Sequence, residues 1–151
     1  MQGVQKIRLC FKKLNEQAHT PSYGTELAAG ADLYACLDSP LTVGAGQTVF
    51  VPTGLAMEIP AGYVGLIYAR SGLACKRGLA PANKVGVIDS DYRGEIIVAL
   101  HNHSDREVVL ETGERVAQMV ITPYVFAEYE EREELGDTAR GTGGFGSTGT
   151  K

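Results

Sequence analysis

The sequence contains no apolar run approaching the ~20 residues that span a bilayer. The stretch from Met1 to Lys13 also lacks the apolar middle of a secretory signal. Cytoplasmic placement is therefore expected. Cysteine is scarce: Cys10, Cys36 and Cys75 are far apart, odd in number and outside any CxxC spacing, which argues against a disulfide framework or a structural zinc site. Small buried thiols are expected instead. Positive charge is in short supply, with 14 Lys and Arg against 18 Asp and Glu and a net charge of -4. Such a chain does not coat duplex nucleic acid through its phosphates, so an anionic ligand needs a local cationic pocket. Helix signals are few, and no repeat of roughly 20–50 residues is visible.

What is present fits one domain. The chain has 151 residues, of which 44% are hydrophobic and 21% charged, an ordinary globular balance in a length that one core can hold. Glycine is the outlier at 19 residues, nearly twice the usual share of about 7%. Strands are expected over Lys6–Lys12, Thr48–Thr53, Leu55–Ile59, Val64–Tyr68, Glu95–His101, Val108–Leu110 and Arg115–Tyr124. These runs are rich in Val, Ile and Tyr and are separated by Gly, Pro, Asn or Asp. In the first, Ile7, Leu9 and Phe11 share one face of a half-buried strand. One short helix is expected over Gly72–Arg77, capped by Ser71 and ended by Gly78. The pattern is all-β, a jelly roll or sandwich with one short helix. The β core spans 1–127. An acidic connector and a glycine-rich C-terminal arm follow over 128–151; within Arg140–Gly149 one apolar residue among five glycines cannot build core, and a mobile arm is expected.

Several segments could carry chemistry, each with a plainer alternative. In Ala69-Arg70-Ser71-Gly72-Leu73 a strand delivers an arginine, a hydroxyl and free N–H groups to a helix start, which suits a phosphate; the alternative is a cap with a surface arginine. In Gly86-Val87-Ile88-Asp89-Ser90-Asp91-Tyr92-Arg93-Gly94, Asp89 follows an apolar run that could hold it partly buried as a general base orienting a water. Tyr92 could present a ring face to a ligand, and the alternative is a hairpin turn. Arg115 and Gln118 lie on opposite faces if their strand is regularly pleated. Asp32, among small residues, reads first as a structural acceptor. The tail offers glycine N–H groups, Ser147, Thr148, Arg140 and the flat face of Phe145 to an anionic, aromatic ligand, or it is simply a tail. His101 and His103 share one side of a strand, but a metal needs a further placed ligand.

Five segments in this order, Ala29–Ala35, Ala69–Leu73, Gly86–Glu95, Gly113–Val120 and Arg140–Gly149, resemble the five motifs of the trimeric dUTPases, the deoxyuridine triphosphate nucleotidohydrolases. The resemblance covers nearly the whole chain. It implies a jelly-roll subunit in a homotrimer with shared active sites, hydrolysing dUTP to dUMP and diphosphate with Mg2+, which limits uracil in DNA and supplies dUMP for dTMP synthesis. It makes Asp89 the acid that orients water towards the α-phosphorus, and it places Arg70, Ser71 and Gly72 on phosphate oxygens. Gln118 then holds an α-phosphate oxygen or the water, and Tyr92 excludes a 2′-hydroxyl. Asn83 and the backbone of Gly86, Val87 and Ile88 read uracil, with Ile97 walling the pocket. On the arm, Phe145 stacks on the base while Arg140, Gly146, Ser147 and Thr148 reach the β- and γ-phosphates. Magnesium has no direct protein ligand in this reading; Asp32 touches its water shell or, more simply, braces the fold. Two positions depart from the family pattern: Ala69 replaces a usual proline, and Lys84 follows Asn83 where smaller residues are common. A dCTP deaminase of the same superfamily, or a bifunctional form, is the alternative. The Asp89-Ser90-Asp91-Tyr92 segment and the short chain weigh against it.

Overall fold

The structure, a computed structural model, describes residues 5–144, so Phe145, Gly146, Ser147 and Thr148 lie outside the described residues. Eleven strands and one helix follow in chain order: β1 (Cys10–Lys13), β2 (Ser22–Tyr23), β3 (Ala31–Tyr34), β4 (Leu41–Val43), β5 (Thr48–Glu58), β6 (Tyr63–Tyr68), α1 (Ser71–Arg77), β7 (Leu79–Pro81), β8 (Gly86–Ile88), β9 (Glu95–Asn102), β10 (Val108–Leu110) and β11 (Arg115–Pro123). They form three antiparallel sheets, ordered β1-β5-β9-β7, β2-β3-β11-β6-β8 and β10-β4. The two larger sheets share one core. Leu33, Val51, Leu55, Ile96, Leu100 and Val116 meet there with no exposed surface, each contributing about 1.5–3 kcal/mol of burial. This is the expected jelly-roll-like, all-β architecture. No helix among the described residues is long and apolar enough to cross a membrane.

Period-2 alternation explains β9, where Ile96, Val98 and Leu100 point inward and Ile97 outward. Where alternation breaks, the structure differs from the expected elements. The two strands expected over 48–53 and 55–59 are one strand, β5, with a register shift between Pro52 and Ala56. The irregular backbone is satisfied from β9: Gly54 N–H donates to the Glu95 carboxylate at 2.8 Å, and the Thr53 hydroxyl to Ile96 O at 2.6 Å. The first strand begins only at Cys10, so Ile7 lies outside it and is exposed, and Phe11 is exposed because β1 is a sheet edge with a single neighbour. Only Cys36 is a buried thiol, pushed up in pKa mainly by that burial, with Glu95 and Asp38 adding to it; Cys10 and Cys75 are exposed. Residues 124–144 form no strand or helix.

Candidate active site

Strand register brings three of the singled-out segments to one end of the five-stranded sheet. Asp32 on β3, Gln118 on β11 and Tyr68 on β6 are cross-strand neighbours in one row. The chain leaves β6 through Ala69 and Arg70 into α1. Arg70, extended at φ -94 and ψ 128, occupies the helix N-cap, and no side chain caps the helix. Ser71 is therefore the first helical residue and not the cap expected from the sequence, so its hydroxyl is not committed to capping. Gly78 ends α1 as expected, in the left-handed region, with its N–H on Leu73 O.

Asp32 organises this corner. It is 7% exposed and accepts from Arg70 Nε at Oδ1 (2.7 Å) and from Arg115 Nη1 at Oδ2 (3.4 Å). Arg115 reaches it because β11 bulges: Arg115 pairs with Tyr34 and Ala117 with Leu33, leaving Val116 extra. One inserted residue turns a strand's parity over. Arg115 and Gln118 consequently serve the same carboxylate neighbourhood and not opposite faces. Gln118 Nε2 donates to Ala69 O at 2.9 Å, tying β11 to the residue before Arg70. Gly30 leaves the room for it, since a Cβ there would stand 2.5 Å from Gln118 Oε1 and 3.2 Å from its Cβ. A cleft of about 380 Å³ opens beside the corner, lined by Arg70, Arg77 and Arg115, with Glu114 paired to Arg77. Three guanidinium groups thus meet there against two carboxylates, Glu114 and the adjacent Asp32.

A second cleft, of about 160 Å³, lies between β8 and β9 and is lined by Val87, Ile88, Asp89, Tyr92, Glu95 and Ile97. Ile97 stands there because alternation turns it out of the core. The Tyr92 hydroxyl donates to Glu95 O at 2.9 Å, and Arg93 folds back on Ser90 O at 2.7 Å, fixing the intervening turn. Asp89 is exposed, against the expected partial burial, because β8 ends one residue earlier, at Ile88. β8 is also the outer strand of its sheet, so the backbone groups of its unpaired edge can meet a ligand. Asn83 is exposed in the loop before it, where Lys84 takes a left-handed φ of 66.

The two clefts are far apart in one chain. β8 runs antiparallel to β6, with Gly86 opposite Ile67 and Ile88 opposite Gly65. Asp89 therefore continues past the Val64 end of β6 while Arg70 continues past the Tyr68 end, on the order of 15–20 Å along the strand line. Arg140 lies elsewhere on exposed chain, its Nε donating to Gly143 O at 3.0 Å. His101 bonds Thr48 Oγ1 and His103 bonds Ala74 O, and among the described residues no three His, Cys, Asp or Glu side chains cluster as a metal site.

The family model described as dUTPase matches residues 16–149. The deoxyuridine 5'-triphosphate nucleotidohydrolase of Desulfitobacterium hafniense (strain DSM 10664 / DCB-2) is 50% identical over 145 residues, covering 95% of this chain and 96% of its own. That of Hydrogenobaculum sp. (strain Y04AAS1) is also 50% identical over 145 residues, covering 96% of this chain and 100% of its own. Among solved structures, the Staphylococcus bacteriophage 80alpha dUTPase with dUPNHPP superposes with a TM-score of 0.87 at 28% identity, covering 95% of this chain and 99% of that one. The chain belongs to the dUTPase family.

Within a dUTPase the departures at Ala69 and Lys84 acquire physical meaning. Ala69 contributes its carbonyl to Gln118, a role proline would also fill. Lys84 sits where the backbone is left-handed, a conformation that glycine adopts more readily than lysine. The link from Arg115 to Asp32 and the packing role of Gly30 leave no signal in the sequence. The first depends on a bulge, and the second on a side chain folding over a backbone distant in sequence.

Proposed function

We propose that the protein hydrolyses dUTP to dUMP and diphosphate in the cytoplasm, with each active site assembled from different copies of the chain in a homotrimer. The observation carrying this reading is the separation of the arginine corner from the Asp89 cleft at opposite ends of β6. One triphosphate needs both, and one chain does not join them. A second copy supplies the missing half. Three free thiols fit a reducing compartment.

The nucleoside occupies the β8–β9 cleft. The open edge of Gly86, Val87 and Ile88, with the Asn83 amide, presents donors and acceptors to the uracil edge, and Ile97 walls the base. Tyr92 lies against the deoxyribose and leaves no room for a 2′-hydroxyl. Asp89 takes a proton from a water as its oxygen bonds to the α-phosphorus, and the bond to the bridging oxygen breaks with release of diphosphate. From another copy come Arg70, held at Nε by Asp32 so that its Nη groups face phosphate, the Ser71 hydroxyl near the bridge, the Gly72 N–H and the Gln118 amide. Arg140, Phe145, Gly146, Ser147 and Thr148 close over base and outer phosphates. Both Asp32 oxygens are engaged by guanidinium groups, so the donor set fits a magnesium ion carried by the triphosphate and waters, with Asp32 acting indirectly. When bound, that ion would offset charge on the phosphates.

The test is a panel of dUTP, dCTP, dTTP and UTP with diphosphate measured. Rapid release from dUTP alone is expected, whereas ammonia from dCTP would assign the chain to the deaminases. Asp89→Asn should lower kcat by about 10²–10⁴. Refolding inactive Asp89→Asn and Arg70→Ala chains together should restore part of the activity, because some mixed sites receive both intact halves. No restoration, or a monomer by light scattering, would sink the shared site.

A further inference from the structure

The turn after Asp89 contains a glycine whose presence the backbone does not explain. Gly94 does not adopt the left-handed conformation that glycine alone tolerates easily, so any L-residue would satisfy its φ. The obstacle is a side chain. A Cβ built on Gly94 would stand 2.5 Å from Tyr92 Cζ and 2.9 Å from Cε2, and it would also collide with the hydroxyl. Real carbon atoms do not approach that closely, so the ring and the methyl group cannot share the space. The same ring is held by one hydrogen bond, from its hydroxyl to Glu95 O at 2.9 Å, one residue beyond Gly94. Tyr92 thus lies folded over its own chain, across a bare Cα, with 43% of its surface exposed in the cleft that also holds Asp89 and Ile97.

We propose that Gly94 is a specificity-determining position: its missing side chain is the seat of the Tyr92 ring, and it sets the distance between that ring and the sugar. This rests on the reading that Tyr92 meets the deoxyribose. The mechanism is steric and indirect. Steric exclusion of a 2′-hydroxyl works only if the excluding surface stays fixed, because a displacement near 1 Å is comparable to the difference between hydrogen and hydroxyl. A methyl group on residue 94 forces the ring off its seat and breaks the bond to Glu95 O. The displaced ring intrudes on the deoxyribose, while UTP, already rejected, has little to lose. Gly94 is a positioning residue and touches no substrate.

The experiment is a cycle of Gly94→Ala, Tyr92→Ala and the double variant, read as the ratio of kcat/KM for dUTP over UTP, with melting temperature followed in parallel. Gly94→Ala should lower the ratio at least tenfold. Adding it to Tyr92→Ala should change the ratio less than twofold and leave melting where Tyr92→Ala puts it, because the collision partner is gone. A ratio within twofold of wild type for Gly94→Ala, while Tyr92→Ala lowers it, would overturn the inference alone. A further tenfold fall in the double variant would also overturn it, by showing that the glycine acts through something other than the ring. If Tyr92→Ala itself leaves the ratio unchanged, the sugar assignment falls, and the specificity role with it.

Discussion

Replacing Asp32 by Asn keeps the shape of the side chain and removes its charge, so it isolates what the carboxylate does for the two arginines. Arg70 Nε at 2.7 Å makes a charge-assisted hydrogen bond to a nearly buried acceptor, worth about 1.5–3 kcal/mol. Arg115, at 3.4 Å and half exposed, adds under about 1 kcal/mol. In the variant one guanidinium can still meet the amide oxygen, but the other faces an N–H donor. The expected loss is about 2–3 kcal/mol. For a chain of this size that corresponds to roughly 5–10 °C in Tm, measured at fixed protein concentration because the proposed assembly would contribute to stability. Releasing Arg70 should also lower kcat/KM at least about tenfold, the equivalent of 1.4 kcal/mol at the transition state, whereas Arg115→Gln should cost little. The reasoning fails if Asp32→Asn melts within 2 °C of wild type and loses activity only through a raised magnesium requirement. That result would place the carboxylate in the metal's water shell and not between the arginines.

Three further predictions concern geometry away from the reacting atoms. Gly30→Ala should lower kcat/KM in the wild-type background and do little in a Gln118→Ala background, because the added Cβ meets the Gln118 side chain; additive losses in that cycle would disprove the packing role. Asn102→Ala should destabilise by about 3–5 kcal/mol in chemical denaturation. The fully buried Asn102 amide donates to Val43 O and Arg106 O and accepts from Ser104 N and Oγ, and a loss under 1 kcal/mol would mean water replaces it. Lys84→Gly should raise stability by about 0.5–1 kcal/mol, since relief of a left-handed residue exceeds the added chain entropy, and a lower Tm would show that the lysine side chain anchors the loop.

Long, alternating elements were legible in the sequence. Glu95–His101 and Arg115–Tyr124 match to within one residue, α1 ends at Gly78, and the short Val108–Leu110 is legible for a different reason: all three residues are apolar and two are β-branched. The strands at 22–23, 31–34, 41–43 and 79–81 went unseen because two to four residues hold too little periodicity to stand out. β3 is the clearest case: Ala-Asp-Leu-Tyr alternates over only four residues, and its burial is imposed by β2 and β11 on either side. Phe11, on edge strand β1, shows the opposite case. Alternation in a sequence reports a face suited to burial, and an edge strand in a single chain has nothing to bury it against.

The site divides along the same line. Arg70, Asp89, Tyr92 and Gln118 could be named because a family resemblance ties residue types to order along the chain, and no periodicity was needed. Their grouping could not be named, since it follows from register. A regular pleat would have turned Arg115 away from Gln118, and only the bulge at Val116 returns it to Asp32. Antiparallel pairing of β8 with β6 sends Asp89 away from Arg70 although both follow strands in neighbouring positions. Residues that a motif list presents as one set therefore fall into two half-sites in a single chain. Beyond β11, Val125, Phe126 and Tyr129 are 92%, 84% and 98% exposed, more apolar surface in one short stretch than an isolated subunit leaves in water. Under the proposed shared site, further copies of the chain would cover that apolar stretch as well as supply the second half-site, so assembly would complete catalysis and burial together.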